Sequence, residues 1–296
     1  MSSTHKQGLI ECRGLGATEL AEIQQLAQIC NERDGLDLKL NWNVLRARPA
    51  DQLNDFLYYV DGQLVGFLAI FSFNSQEGEI SGMVHPDYRR RGIFSALFEA
   101  ASQEGRNRNL PSFLLIVEQA SPAGQAFAKH LPTTYDHSEY KMVLEEPRLP
   151  GSFNERLHFR PARAEDAHTM SRITAVAFNM PESDVDWYTE STLAQPNDRR
   201  YYVGEVDGEV IGKIDVSFSD EVGFIFGFAV QPEHQGKGYG RQMLALTIQE
   251  ILRSGQQHIG LEVATENKQA LSLYQSCGFK ETGSYDYYRL QLIAKQ

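Results

Sequence analysis

The sequence predicts two tandem α+β domains, each a mostly antiparallel mixed sheet flanked by helices. Three observations lead to this fold class: an internal repeat, an Asp-Gly hairpin signal in each copy, and a glycine-rich turn before a helical segment in each copy. A chain of 296 residues has room for two domains of ordinary size.

The repeat relates positions that are 146 residues apart. It aligns Val60-Asp61-Gly62 with Val206-Asp207-Gly208, Pro86 with Pro232, and Gly92 with Gly238. The stretch between the copies, residues 145–157, is rich in proline, glycine and charge, as linkers are. We therefore predict domains at residues 1–146 and 155–296.

The elements of each copy follow in the same order. Asp-Gly between two apolar runs indicates a hairpin of antiparallel strands, and the helix after the glycine-rich turn has apolar residues at helical spacing. These residues are Phe94, Leu97, Phe98 and Ala101 in the first copy and Leu244, Ile248, Ile251 and Leu252 in the second. A strand, a second helix and a closing hairpin complete each predicted domain.

Composition excludes several classes of function. A net charge of −11 argues against binding to the phosphate backbone of nucleic acids. The most apolar stretch, 56–73, is interrupted by Asp61 and Gln63 and fails as a membrane span. The three cysteines have no metal-ligand spacing, so we expect no metal, and their sparse number suits a reducing compartment. Because the first residues lack an apolar signal segment, we predict a soluble cytoplasmic protein.

The glycine-rich turn of the second copy, HQGKGYGR at 234–241, predicts a phosphate site. It joins an apolar strand to a helix, where free backbone N–H groups and the helix dipole favour an anion and glycines allow close approach. A P-loop would need GxxxxGK[ST], and a Rossmann fingerprint would need GxGxxG after the first strand of its domain. Neither pattern is present.

Two motifs of the second copy resemble the GNAT (Gcn5-related N-acetyltransferase) superfamily. Gln235–Gly240 is similar to its Q/R-x-x-G-x-G/A loop for the pyrophosphate of acetyl-CoA, and Leu261–Phe279 is similar to its later LEV…N-x-x-A-x-x-L-Y-x-x-x-G-F motif. The resemblance implies an acetyl-CoA site at the backbone of Phe228, Ala229 and Val230 and at Gln235, Gly236, Lys237, Gly238, Tyr239, Gly240, Arg241 and Asn267.

The resemblance also implies two catalytic residues. Glu262 would accept the proton of the amine, and Tyr274 would donate a proton to the sulfur of coenzyme A. Glu205, Asp215 or Glu233 are alternative bases. Tyr274 also fits a core aromatic, since Ala270, Leu273 and Cys277 share its helical face, and Asn267 also fits an ordinary helix N-cap. We interpret Cys277 as a packing residue.

The first copy is a weaker version of the same pattern. Its loop offers Val84, Arg89, Arg90, Arg91, Gly92, Ile93 and Phe94 as candidate coenzyme A-binding residues. Phe94 stands where the second copy has Gly240, and Ala128 stands where it has Tyr274. Glu118 matches Glu262 only loosely. We therefore predict that the first domain is catalytically degenerate, and that it either still binds coenzyme A or only completes the substrate groove.

The sequence thus favours an acetyl-CoA-dependent N-acetyltransferase whose second domain acts on a small-molecule or peptide amine. A mycothiol-synthase-like enzyme, a non-catalytic acyl-CoA-binding module and a purely structural duplicate are the alternatives. Acceptor sites in this fold are formed by segments matching 20–42 and 177–193, and the second has Glu182, Asp184, Asp186, Glu190, Trp187 and Tyr188. We expect no nucleic-acid or membrane partner, and a monomer or homodimer.

Overall fold

A computed structural model describes residues 6–48, 50–73, 75–186, 188–194, 198–219 and 221–292. The chain forms two compact units. Unit 1 consists of residues 1–138 and 283–296, and unit 2 consists of residues 139–282.

Within the described residues, the first repeat contributes six strands and four α-helices. In chain order they are β1 (Gly8–Cys12), α1 (Ala17–Asp34), α2 (Trp42–Ala47), β2 (Asp55–Val60), β3 (Gln63–Phe71), β4 (Glu77–Val84), α3 (Ile93–Asn107), β5 (Ser112–Glu118), α4 (Pro122–His130) and β6 (Thr134–Leu144).

The second repeat has the same order of elements. They are β7 (Leu157–Pro161), α5 (Ala167–Ala177), α6 (Glu190–Ala194), β8 (Arg199–Val206), β9 (Glu209–Ser219), β10 (Val222–Val230), α7 (Tyr239–Arg253), β11 (His258–Ala264), α8 (Lys268–Ser276) and β12 (Phe279–Gln291).

Each unit contains a six-stranded mixed sheet. The order is β1-β2-β3-β4-β5-β12 in unit 1 and β6-β11-β10-β9-β8-β7 in unit 2. The pairs β4–β5 and β10–β11 are parallel, and the other pairs are antiparallel. This confirms the predicted fold class.

The last strand of each sheet comes from the other repeat. Residues 139–143 of β6 pair with β11 inside unit 2, and residues 285–291 of β12 pair with β5 inside unit 1. The compact units therefore differ from the predicted domains in their final strands. Each repeat also ends in one long strand, where the sequence predicted a hairpin.

The Asp-Gly turns form as predicted in both units. Asp61 and Gly62 have φ of 50° and 82°, and Asp207 and Gly208 have φ of 53° and 86°. Two successive positive φ values define the type I′ turn that joins twisted antiparallel strands. Within the described residues no helix combines the length and the apolar character that a membrane span requires.

Helices cover both faces of each sheet, and strand alternation separates the two cores. In unit 2 one face packs against α7 and α8, and the other packs against α5 and the segment before α6. In unit 1 the corresponding helices are α3 and α4 on one face and α1 and α2 on the other.

Candidate active site

Unit 2 contains a cleft of about 800 Å³ where the end of β10, the loop after it, α5, α7 and α8 meet. Its lining includes ten residues that the sequence predicted for the cofactor site or for catalysis, and also Glu233, one of the alternative bases. The ten are Phe228, Ala229, Val230, Gln235, Gly236, Gly238, Gly240, Arg241, Asn267 and Tyr274. Sequence analysis missed Arg172, Ile173, Val176, Gln231, Pro232, Gln269, Ala270 and Leu273 as lining residues. Arg172, Ile173 and Val176 have the spacing of one face of a helix, and this spacing is the sequence signal that could have grouped them.

The cleft opens because β10 and β11 separate. Their parallel pairing runs from Val222 to Ile225 on β10 and ends opposite Leu261 on β11. Farther along, Ala229 and Val230 still pair with β9. The other edge of β10 is therefore directed toward the cleft that residues 228–230 line.

The glycine-rich loop leads from this strand into α7. Gly236 and Gly238 are exposed, have φ of 72° and 84°, and would have no atom within 4 Å of an added Cβ. Gly238 is the N-cap of α7, and no side chain caps the first turn. The first N–H groups of the helix therefore point toward open space, which suits an anion.

Two predicted loop residues do not line the cleft. Lys237 is exposed, whereas Tyr239 is 5% exposed and belongs to the core of unit 2. Gln235 lines the cleft, and its Nε2 donates a hydrogen bond to the carbonyl oxygen of Val230, 2.9 Å away. Gln235 therefore ties the loop to the end of its strand.

Gly240 keeps the floor of the cleft open. An added Cβ would lie 3.6 Å from Leu273 and 3.7 Å from Phe228, which are ordinary contact distances. Its φ is not positive, so glycine is not required by the backbone here. The missing side chain provides space for a ligand.

Tyr274 belongs both to the core and to the wall of the cleft. It is 7% exposed, and its ring lies near those of Phe228 and Phe279, with centroids 6.5 and 6.0 Å away. Burial raises the pKa of Tyr274 to about 12, because a phenolate loses its hydration there. The phenol thus keeps its proton at neutral pH. Cys277 lies in the same core, in agreement with a packing role.

Glu262 lies on the opposite face of the sheet from Tyr274. Its neighbours Leu261 and Val263 pack in the core with Tyr274, and side chains alternate along a strand. Glu262 is half-buried and is registered opposite Lys141 of β6. Burial lowers the pKa of Lys141, and the negative charge of Glu262 offsets part of that lowering. Glu262 does not line the cleft. Its role as the base remains a prediction.

The alternative bases have different surroundings. Glu205 pairs with Arg160 at 3.0 Å, and Asp215 is fully buried. Glu233 is exposed and lines the cleft. Only Glu233 of these three is thus in direct reach of a molecule in the cleft.

Asn267 caps helix α8 and also lines the cleft. Its side-chain oxygen accepts a hydrogen bond from the backbone N–H of Ala270, 3.0 Å away. Ser121 caps α4 in the same way, accepting from Gly124 at 3.2 Å. This symmetry supports the alignment of the two positions.

The acceptor segment 177–193 contributes two of its described residues to the cleft wall. These are Ala177 and Phe178, and Phe178 is 49% exposed. The acidic side chains at 182, 184, 186 and 190 do not line it. Tyr188 is buried instead, and Trp187 lies outside the described residues.

In unit 1 an aromatic pair occupies the position that corresponds to the cleft of unit 2. Phe94 packs edge-to-face on Phe127, with ring centroids 4.7 Å apart, and lies against Gly82. Unit 2 has the reverse arrangement, with Phe228 at the position of Gly82 and Gly240 at the position of Phe94.

Two of the three arginines of the first loop, Arg89 and Arg91, have partners within the chain. Arg89 forms a two-pronged ion pair with Asp34 and donates from Nε to the carbonyl oxygen of Val84, 3.1 Å away. Arg91 donates to the carbonyl oxygen of Asp87. Arg90 is exposed with φ of 61°, so it keeps the backbone conformation of Gly236 without being glycine.

The remaining predicted residues of the first loop have the following surroundings, and their binding of coenzyme A stays a prediction. Val84 and Ile93 are 9% and 5% exposed and pack in the core of unit 1. Gly92 is the N-cap of α3 with φ of 79°. Glu118 accepts a hydrogen bond from the backbone N–H of Asp37, and burial raises its pKa.

Comparison with known proteins identifies the family. The sequence model of the acetyltransferase (GNAT) family matches residues 17–131 and 167–279, once in each repeat. The chain therefore belongs to the GNAT acetyltransferase family.

Several relatives have names that describe their activity. The mycothiol acetyltransferase of Mycolicibacterium smegmatis is 23% identical over 283 residues, which cover 90% of this chain and 94% of that protein. The mycothiol acetyltransferase of Streptomyces griseus is 25% identical over 292 residues, which cover 91% and 92%. The aminoglycoside N(6')-acetyltransferase type 1 of Stenotrophomonas maltophilia is 28% identical over 142 residues, covering 45% of this chain and 92% of that protein.

Solved structures show the same fold over nearly the whole chain. A GCN5-related N-acetyltransferase from Sphaerobacter thermophilus has a TM-score of 0.81 at 18% identity, with 97% of each chain covered. A tandem GNAT protein from the clavulanic acid biosynthesis pathway has a TM-score of 0.74 at 15% identity, covering 97% of this chain and 99% of that chain.

Proposed function

We propose that unit 2 transfers the acetyl group of acetyl-CoA to a primary amine. The observation that carries this proposal is the open cleft at the separation of β10 and β11, with the uncapped start of α7 at one end. The cleft offers a strand edge and an anion site to one extended molecule, which is the chemistry of a pantetheine arm ending in a pyrophosphate.

Each part of the cofactor has a proposed partner. The N–H groups of 238–241 would hold the pyrophosphate, with Arg241 and Lys237 as cations. The backbone of 228–230 would pair with the pantetheine arm, as with an added strand, and Gly240 would leave space for it.

The reaction forms one bond and breaks one bond. The amine nitrogen attacks the thioester carbonyl carbon, a C–N bond forms, and the C–S bond breaks. Tyr274 gives its phenolic proton to the departing thiolate, for which a pKa of about 12 keeps it protonated. The amine proton goes to Glu262, through water where direct reach is lacking, and Glu233 is the alternative acceptor on the cleft side.

The positions of Tyr274 and Glu262 on opposite faces of the sheet support their roles as proton donor and proton acceptor. Tyr274 and α7 belong to one face, and Glu262 and α5 belong to the other. A thioester at the strand separation would be reached by the proton donor from one face and by the amine from the other. We propose that unit 1 carries no chemistry, since Ala128 replaces the tyrosine and Phe94 fills the cleft.

A mycothiol-type acceptor is the second candidate. It is favoured by the relatives named mycothiol acetyltransferases, which match this chain at nearly full length. The acceptor of this candidate is a cysteinyl amine linked to a sugar. We further propose a cytoplasmic enzyme, monomeric or homodimeric.

Calorimetry of acetyl-CoA binding tests the proposal. We expect one site per chain, lost in Gly238→Trp and kept in the matched variant Gly92→Trp, since both glycines cap a helix at a positive φ with open space around them. A second site that disappears in Gly92→Trp would instead show that unit 1 binds coenzyme A.

Two other outcomes would support the alternatives. Tight binding without thiol release from any amine tested, including sugar amines, would indicate a binding module. Absence of binding, with no rise of Tm on adding acetyl-CoA, would contradict the proposed enzyme, because a ligand of the native state must stabilise it.

A further inference from the structure

Three buried polar side chains form a cluster beneath β10. Lys213 and Asp215 of β9 are fully buried, with Nζ and Oδ2 2.7 Å apart. Tyr188 donates a hydrogen bond to the same oxygen at 2.5 Å and accepts one from Lys213. Burial lowers the pKa of Lys213 and raises that of Asp215, as expected for charges taken out of water.

Stability alone does not account for this cluster. Burying two charges costs several kcal/mol per ion, and apolar replacements of such a pair are often neutral or stabilising. The role of this pair is therefore sought in what it contacts in the neighbouring backbone.

The geometry next to it is a β-bulge. Asp215 is registered opposite Phe226 and Lys213 opposite Ala229, so β10 has one more residue than β9 between these pairs. Bulges of this type redirect a strand and occur beside active sites. The extra length lies at Gly227 and Phe228.

Gly227 rests directly on the ion pair. Its φ is 55°, and an added Cβ would lie 2.7 Å from Oδ2 of Asp215 and 2.8 Å from Nζ of Lys213. A side chain at position 227 would clash with both charged groups, so the ion pair packs directly against the backbone of the bulge.

The bulge lies where the cleft begins. Pairing of β10 with β11 ends at Ile225, and the residues just after the bulge line the cleft. Whatever fixes Gly227 therefore sets the direction of the strand edge at residues 228–230.

We propose that Lys213, Asp215 and Tyr188 are positioning residues that hold the β10 bulge in the form that binds the pantetheine arm. This inference rests on the proposed acetyl-CoA site. It gives Asp215 a role in positioning, in place of the role of base that the sequence left open. Oδ2 of Asp215 is engaged by both partners, whereas Oδ1 has no hydrogen-bond partner among the described residues. The side chain is fully buried and does not line the cleft.

Two ligands distinguish positioning from general stability. Acetyl-CoA contains the pantetheine arm, whereas adenosine 3′,5′-bisphosphate is the nucleotide part without it. Both are titrated by calorimetry into the wild-type chain, Tyr188→Phe and the double variant Lys213→Met with Asp215→Leu. Circular dichroism and Tm establish that each variant is folded.

We expect the double variant to lose about tenfold or more in affinity for acetyl-CoA and Tyr188→Phe to lose about threefold, with bisphosphate affinity within about twofold of wild type. A control double variant, Arg160→Met with Asp166→Leu, removes another buried ion pair of unit 2, and we expect both of its affinities to stay near wild type.

Equal losses for both ligands, or no loss in folded variants, would overturn the positioning role. If the double variant does not fold, Tyr188→Phe decides the question, because it keeps the volume of the side chain and removes only the hydroxyl. A wild-type chain that binds neither ligand would refute the proposed function, and this inference with it.

Discussion

Gln235 donates a hydrogen bond from Nε2 to the carbonyl oxygen of Val230, and Arg89 donates from Nε to the carbonyl oxygen of Val84. The two pairs occupy equivalent positions of the repeat. In both units, therefore, the first side chain of the loop ties the turn back to its strand. The polar residue at this position serves the loop's own geometry in both units.

Removing this tie should weaken cofactor binding without abolishing it. A typical intramolecular hydrogen bond contributes about 0.5–1.5 kcal/mol, so Gln235→Ala should raise the Kd for acetyl-CoA roughly 2–10-fold. Calorimetry gives the value, and Gln249→Ala, a glutamine of α7 outside the cleft, is the control. A loss of more than about 100-fold would mean that Gln235 binds the cofactor directly.

Filling the cleft should copy the arrangement of unit 1. Gly240→Phe places a ring over the β10 edge, as Phe94 does in unit 1, and should lower acetyl-CoA affinity by more than about 100-fold. Gly240→Ala adds only a methyl group at ordinary contact distances and should bind within about threefold of wild type. Near-normal binding by the phenylalanine variant would show that the cofactor does not pass over residue 240.

Tyr274→Phe separates chemistry from binding. We expect kcat to fall about 10²–10⁴-fold with the KM for acetyl-CoA little changed, since a general acid acts in the transition state. Leu273→Met, also in the cleft wall, keeps an apolar side chain of similar volume and serves as the control. An unchanged kcat would make Tyr274 a core aromatic only.

The same variant should change stability at alkaline pH. The pKa of Tyr274 is raised in the folded state to about 12, above its ordinary value of 10.0. Its contribution to stability is therefore complete below pH 10 and lost as the pH rises toward 12. The free energy of unfolding of wild type, measured in urea relative to that of Tyr274→Phe, should therefore fall as the pH rises over that range. A difference independent of pH would contradict the shift.

Arg90 carries backbone strain that glycine would relieve. A non-glycine residue in the left-handed region costs about 1–2 kcal/mol, partly offset by the greater freedom of glycine when unfolded. Arg90→Gly should thus raise the free energy of unfolding by about 0.5–1 kcal/mol. Arg90→Ala keeps the strain and should not stabilise, so equal effects of both variants would assign the gain to the lost charge.

Local sequence patterns determined much of this protein. The Asp-Gly turns, the helix starts at Gly92 and Gly238, and the N-cap of Asn267 follow from residue types and short spacings, because each depends on backbone preferences of a few neighbouring residues. The repeat and the two motifs also led to the correct family.

The tertiary structure decided what depends on distant parts of the chain. The exchange of final strands reflects pairing partners more than 100 residues away, which a local pattern does not specify. Glu262 and Tyr274 belong to the same sequence motif, but the alternation of side chains along β11 places Glu262 on the opposite face of the sheet. The bulge at Gly227 depends on the register between β9 and β10, and the ion pair beneath it depends on side-chain packing. A local sequence pattern specifies neither of them.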